Sequence, residues 1–287
     1  MLYSTASRAG PYRLSPTEGY AYMKQIELFL LDMDGTMWIS DRWIDGATEF
    51  LAETARQGKR CVFLTNNSSR SNAAYVEKLR RMGLEATADD VFTAGEATIL
   101  YLRAQKPDCR VYLMGTASLR REFEQGGVPV LESVGPGLPL PDYAVAAFDR
   151  ELTYRKLEDM CWLLDSGVPF VATNLDTVCP IEDGRFIPDC ASMCKMLENA
   201  TGRRPKYIGK PEPDMIYTVC EKFGVPLDKA CMVGDRMYTD IAAGCNAGVK
   251  TVCVLSGEST EADVEASPYA PTLVLPSVKE LLARIRD

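Results

Sequence analysis

Residues 26–31 form a short, almost wholly apolar run that ends at once in Asp32-Met33-Asp34-Gly35. Such a run suits a strand buried on both faces, the habit of a parallel sheet covered by helices. Helical periods follow it. Residues 46–57 repeat small and apolar positions at helical spacing and stop at Gly58, and residues 71–82 read as a helix that stops at Gly83. Between them, residues 60–64 make a second apolar run, ended by Thr65-Asn66-Asn67. This alternation predicts right-handed crossovers and a parallel sheet with helices on both faces. Ligands of such sheets sit beyond the carboxyl ends of the strands, so the polar residues closing each run are the ones to follow.

The same pattern resumes late in the chain, with strand-like runs at 206–209, 230–233, 250–255 and 272–275 and helices at 214–223, 241–246 and 278–285. Between the two stretches, strand-like runs at 110–114, 128–131, 143–148 and 169–172 alternate with helical runs at 118–125, 155–164 and 191–199. That is enough for a second sheet and core, and 287 residues with 46% hydrophobic content can bury both. The expected class is α/β: a Rossmann-like parallel-sheet core from residues 23–95 and 205–287, with helices on both faces, plus an inserted α/β domain over 96–204. Val134-Gly135-Pro136-Gly137-Leu138-Pro139 reads as a loop within the insert. Residues 1–22, rich in Ser, Pro, Gly and Tyr and without a period, read as a poorly ordered N-terminal extension.

Composition narrows the chemistry. The chain has no histidine, which removes Ser-His and Cys-His triads, His-ligated zinc and imidazole bases, and leaves acid–base work to carboxylates. A formal charge of -8 without a dense Lys/Arg run argues against a nucleic-acid partner. It also means that binding a phosphate needs local help from a cation, a metal or backbone amides. Ten scattered cysteines form no Cys-x-x-Cys pair and read as reduced thiols. Cys190 and Cys194, one helical turn apart, lack further ligands nearby and read as core thiols rather than a metal site. No apolar run approaches the roughly 20 residues that span a bilayer, and no signal peptide pattern is present, so a soluble, cytoplasmic protein is expected.

The candidate chemistry lies at the strand ends. Asp32 and Asp34 are two carboxylates just past a buried strand, where they repel unless neutralised, and a hard divalent cation with oxygen ligands does this economically. The same Asp-x-Asp-Gly also suits a calcium loop or a plain turn. Thr65, Asn66 and Asn67 offer a hydroxyl and amides that can donate to a phosphoryl oxygen, or form a polar turn. Lys210, between Gly209 and Pro211, can offset carboxylate and phosphate charge, or be merely solvated. Asp235 follows the 230–233 run, and Asp240 lies near the start of the next helix, where an acid also has a purely structural use.

Taken together, these sites resemble the four motifs of the haloacid dehalogenase superfamily, carried here by Asp32-Met33-Asp34-Gly35-Thr36, Thr65, Lys210 and Gly234-Asp235 through Asp240. More narrowly, Thr65-Asn66-Asn67, Gly209-Lys210-Pro211, Gly234-Asp235-Arg236 with Thr239-Asp240, and the long insert are similar to the class IIA branch, NagD-like and 4-nitrophenylphosphatase-like. Asp149-Arg150-Glu151-Leu152-Thr153-Tyr154 and Thr173-Asn174-Leu175-Asp176 fit that branch as well.

The resemblance implies a Mg²⁺-dependent phosphomonoesterase for a small phosphorylated metabolite. Asp32 is then the nucleophile that becomes an aspartyl phosphate, and Asp34 protonates the leaving alcohol and later deprotonates water. The metal is expected on the Asp32 carboxylate, the Asp34 backbone carbonyl and Asp235. The phosphoryl group falls to Thr65 and Lys210, with Asn66 and Asn67 nearby, while Asp240 supports the metal or orients Lys210. The insert becomes a cap, with Asn174 and Asp176 as candidate leaving-group contacts or simply a turn, and caps of this branch can pair in homodimers. Alternatives are a phosphotransferase or mutase using the same phosphoenzyme, and a phosphorylatable signalling module that does not turn over. A dinucleotide-binding dehydrogenase is disfavoured because no Gly-x-Gly-x-x-Gly follows the first strand.

Overall fold

The computed structural model describes residues 22–181 and 185–286; the expected extension over 1–22 lies outside these but for Tyr22. Two compact units are present. One takes residues 22–39, Trp43–Cys61 and 225–286, and the other takes Ser40–Arg42 and Val62–Gly224. The second unit therefore holds residues 62–95 and 205–224 together with the 96–204 segment.

In the first unit, the strand Leu28–Leu31 pairs in parallel with Ala230–Gly234, which pairs with Lys250–Val254, which pairs with Leu273–Leu275. Leu28 through Leu31 are all fully buried, as a strand without polar alternation must be. Phe29 meets Phe50 of the helix Ala47–Arg56 edge to face at 5.2 Å. The closing helix Val278–Arg286 buries Val278, Leu281, Leu282 and Ile285, a stripe at helical spacing, and packs against Ala47–Arg56. The short helix Ala242–Ala247 lies on the strands Ala230–Gly234 and Lys250–Val254.

In the second unit, Lys206–Tyr207, Phe170–Ala172, Tyr143–Ala146 and Val111–Met114 form a parallel sheet in that order. The helices Ala117–Gln125, Tyr154–Asp165 and Cys190–Thr201 start at side-chain caps from Thr116, Thr153 and Asp189. Cys190 and Cys194 are free thiols inside the apolar core of this sheet, beside Met114, Ala146 and Leu197. The strand Arg60–Thr65, within which the chain passes from the first unit to the second, pairs Phe63, Leu64 and Thr65 with Val91, Phe92 and Thr93.

In the second unit, the strand expected over 128–131 and the segment after Thr93 differ from the structure. Residues 128–131 make only a bridge to Val111, through Val111 N to Pro129 O and Leu131 N to Val111 O. Pro129 has no N–H to extend the ladder. The helix Ala94–Gln105, capped by Thr93, lies where no helix was expected, because consecutive Ile99, Leu100, Tyr101 and Leu102 blur its period.

Candidate active site

Because Leu31 is in register with Val233, the two strands deliver Asp32 and Gly234-Asp235 side by side at the carboxyl end of the sheet. The Asp32 N–H donates to the Val233 carbonyl at 2.8 Å, which fixes the start of the exit loop. A π-type turn over Met237–Ile241 then brings Asp240 back, and its backbone N–H donates to the Arg236 carbonyl. Asp32, Asp235 and Asp240 each offer a carboxylate oxygen, all within 4.8 Å of one another. Asp235 and Asp240 are buried and Asp32 is half-buried.

Asp235 is held from two sides. The Glu258 N–H donates to its Oδ2 at 2.7 Å and the Thr36 hydroxyl to its Oδ1 at 3.2 Å. The backbone closes on it so tightly that a Cβ on Gly257 would overlap the carboxylate, and one on Gly35, at φ +89°, would lie 2.6 Å from Oδ2. Burial, then the negative charges of Asp32 and Asp240, push the Asp235 carboxyl up to about 7, against the pull of the Glu258 N–H. Arg236 partly offsets the charge. Burial works against its charged form, but Asp32 and Glu258 outweigh burial and hold the guanidinium firmly protonated, with Nε 2.8 Å from Glu258 Oε2. The Tyr238 hydroxyl donates to the other Glu258 oxygen.

Three hard oxygen donors converging within 4.8 Å of one another are a donor set that suits a divalent cation. The Asp34 side chain is outside this set. It is exposed, and its Oδ1 accepts the Trp38 indole N–H at 2.9 Å.

In the second unit, Asn66, Lys210, Asn174 and Asp176 join in one buried network. Asn66 Nδ2 donates to Asp176 Oδ2 at 2.7 Å and to the Lys210 carbonyl at 2.9 Å, and its Oδ1 accepts the Lys210 N–H at 2.8 Å. Asn174 Nδ2 donates to Asp176 Oδ2 and Asp189 Oδ1, while its Oδ1 accepts from the Thr173 hydroxyl. The amides of Asn66 and Asn174 are thus committed to protein partners. Lys210 is 2% exposed and its ammonium donates to the Leu64 carbonyl. Thr65 Oγ1 accepts the Asn67 N–H, and Asn67 Oδ1 accepts from the Ser69 N–H and hydroxyl, a polar turn that leads into the helix Asn72–Arg81.

The donors around Asp235 from Thr36 and the Gly257-Glu258 loop, and the Trp38 indole on Asp34, were not singled out from sequence. The one available signal was a Ser-Gly pair, Ser256-Gly257, which follows the strand Lys250–Val254 after Leu255.

A parallel sheet with carboxylates gathered at the carboxyl ends of its strands is one setting for hydrolase chemistry, and the comparisons with known proteins place the chain in that class. The chain belongs to the haloacid dehalogenase-like hydrolases: residues 29–129 match the family of that description, and residues 207–281 match its HAD-hydrolase-like counterpart. A human glycerol-3-phosphate phosphatase is 37% identical over 276 residues, covering 88% of this chain and 86% of the relative. An acid sugar phosphatase of Staphylococcus aureus (strain MRSA252) is 33% identical over 263 residues, covering 92% of this chain and 99% of the relative. Among solved structures, a 4-nitrophenylphosphatase from Thermotoga maritima superposes with a TM-score of 0.87 at 40% identity, over 92% of this chain and 99% of its own. NagD from E. coli K-12 gives 0.80 at 29% identity, over 89% and 98%. The chain is accordingly a phosphatase enzyme, similar in structure to the branch its motifs resemble. No helix among the described residues is long and apolar enough to cross a membrane.

Proposed function

We propose that this phosphatase hydrolyses a small phosphorylated polyol or sugar through an aspartyl phosphate on Asp32, with Mg²⁺ as its cofactor. The observation that carries the reading is the Asp32, Asp235 and Asp240 cluster, with a second, exposed acid two residues beyond Asp32. The relatives' substrates, glycerol 3-phosphate and sugar phosphates, support the substrate class.

An oxygen of Asp32 forms a bond to phosphorus as the ester P–O bond breaks, and Asp34 gives its proton to the departing alcohol oxygen. Asp34, now ionised, takes a proton from the water that attacks the same phosphorus, which releases inorganic phosphate and returns the Asp32 carboxylate. Asp32, Asp235 and the Asp34 carbonyl would hold Mg²⁺, with Asp240 beside them. When bound, the metal supplies positive charge to the carboxylates and phosphoryl oxygens. Thr65 and Lys210 are assigned to the phosphoryl oxygens. Asn66, whose amide is spent on Asp176 and Lys210, is assigned to holding the Lys210 backbone, and Asn67 to ordering the turn. Asn174 and Asp176 extend the same support. Residues 96–204 are assigned the cap role and the choice of leaving group.

The test is phosphate release across a panel of sugar, polyol and nucleotide phosphates, with and without Mg²⁺. The wild-type chain is expected to turn over many times with Mg²⁺ and to yield an acid-stable ³²P label on Asp32 in quenched reactions. Asp32→Asn is expected to lose at least about a thousandfold in kcat. An Asp32→Asn protein that keeps near-wild-type turnover sinks the mechanism.

A further inference from the structure

Trp38 has no polar role in the sequence reading, yet the structure gives it one. The turn after Asp32 is tight: Met33 O accepts the N–H groups of Met37 and Trp38, and the Gly35 N–H donates to Trp38 O at 2.8 Å. Gly35 permits this with φ +89°. Asp34 and Trp38 are thereby bridged through the backbone, and their side chains meet, with Nε1 2.9 Å from Asp34 Oδ1. The two residues differ in exposure. Asp34 is exposed, whereas Trp38 is fully buried and set edge-on to Trp43 at 5.4 Å and 82°. An exposed carboxylate ordinarily samples several rotamers; here a ring locked by packing fixes one of its oxygens.

We propose that Trp38 is a positioning residue for proton transfer, holding Asp34 by Oδ1 so that Oδ2 carries the proton to and from the reacting oxygens. The chemistry of the donor supports the assignment. An indole N–H only donates, so the oxygen it faces acts as acceptor and the acid's proton is favoured on the other. In the forward step the Oδ2–H bond breaks, its proton goes to the ester oxygen, and the electron pair of the breaking P–O bond stays with that oxygen. In the second step Oδ2 recovers a proton from water. A small error in the aim of a catalytic group is expensive in rate, which gives the buried ring a functional value beyond packing.

This inference rests on the reading of Asp34 as the proton-transfer acid, and its test separates the two. Trp38→Phe keeps ring packing and removes the donor. The measurement is kcat/KM, which ends at formation of the phosphoenzyme, on glycerol 3-phosphate and on 4-nitrophenyl phosphate. An alkoxide needs a proton to leave and 4-nitrophenolate does not. Trp38→Phe is expected to lose about tenfold or more on the alkyl ester and less than about threefold on the aryl ester. Asp34→Asn, measured in parallel, is expected to show a larger split of the same sense. The ratio of the two kcat/KM values does not depend on how much of a preparation is folded, so a destabilised variant still reports. Equal losses on both esters, or none, in Trp38→Phe beside a selective Asp34→Asn overturn the inference and leave Asp34 its role. Equal losses in Asp34→Asn overturn the reading of Asp34 and the inference with it.

Discussion

The carboxyls of buried Asp235 and half-buried Glu122 are both pushed up to about 7, and in both the first cause is loss of solvent. They differ in company. Asp235 stands at a strand end with two further carboxylates converging on it and receives a backbone N–H from Glu258 and the Thr36 hydroxyl. Glu122 lies on the helix Ala117–Gln125, where its Oε1 accepts the N–H of Asn72, the first residue of the helix Asn72–Arg81, and the negative charge of Glu96 adds to its shift. Its Oε2 is buried with no hydrogen-bond partner among the described residues. A raised carboxyl therefore does not by itself mark a site. What separates the two is convergence: the crowding of the first region would be relieved by a cation held among its carboxylates, and that of the second by a proton.

The sharpest way to break this comparison is Asp235→Asn. If relief by a cation is the right account, the variant needs at least about a hundredfold more Mg²⁺ for half-maximal rate, since even an outer partner of a metal ligand can cost that much. The wild-type chain is expected to gain about 2.7 kcal/mol at a hundredfold excess of Mg²⁺ over its Kd. Thermal unfolding with and without Mg²⁺ checks this, and Asp235→Asn should show little of that gain. The same comparison for Glu122→Gln should leave the Mg²⁺ response at its wild-type size.

Asp176 is a buried acid with another kind of company: its Oδ2 receives amide N–H groups from both Asn66 and Asn174. Asn66→Ala removes three hydrogen bonds at once, one of them to that carboxylate and two to the Lys210 backbone. Leaving such groups unpaired in the interior costs on the order of 2–4 kcal/mol, to be read from chemical unfolding. If Asn66 instead serves mainly as a ligand to phosphate, stability barely moves and KM rises.

The sequence displayed these regions unevenly, for physical reasons. Leu28–Leu31 is legible because burial on both faces removes polar alternation, and Asp32 and Asp235 because each directly follows such a strand, whereas Asp240 lies farther on and reads equally as a helix-start acid. The pair Val178–Pro180 and Phe186–Pro188 is antiparallel and only three residues long on each side, with a proline in each, so no period betrays it. The helix Glu261–Ala266 buries only Val264 and is held by a capping box from Thr260 and Asp263, again without an apolar period. The Glu258 N–H on Asp235 and the Trp38 indole on Asp34 depend on the path of a loop, which residue types alone do not record. The network around Asn66 was visible as polar residues, but not as residues already spent on one another.

Glu122→Gln tests the other half of the comparison and carries the smallest effect. Because the carboxyl titrates near 7 in the folded chain against an ordinary 4.5, the folded state binds the proton more tightly than the unfolded state does. The stabilisation this brings is complete below about 4.5 and lost as pH rises through about 7. Glutamine keeps an oxygen for the Asn72 N–H and has no charge to bury. The variant is therefore expected to match the wild-type chain near pH 4 and to exceed it at pH 8 by on the order of 1–2 kcal/mol, with Glu96 still contributing its own charge. Urea unfolding at the two pH values checks both the size and the sign. A variant less stable than wild type at pH 8 would mean that the ionised Glu122 stabilises the start of the helix Asn72–Arg81 more than its burial costs. In that case the two carboxylates, alike in their shift, would differ in the sign of their contribution to stability as well as in their company.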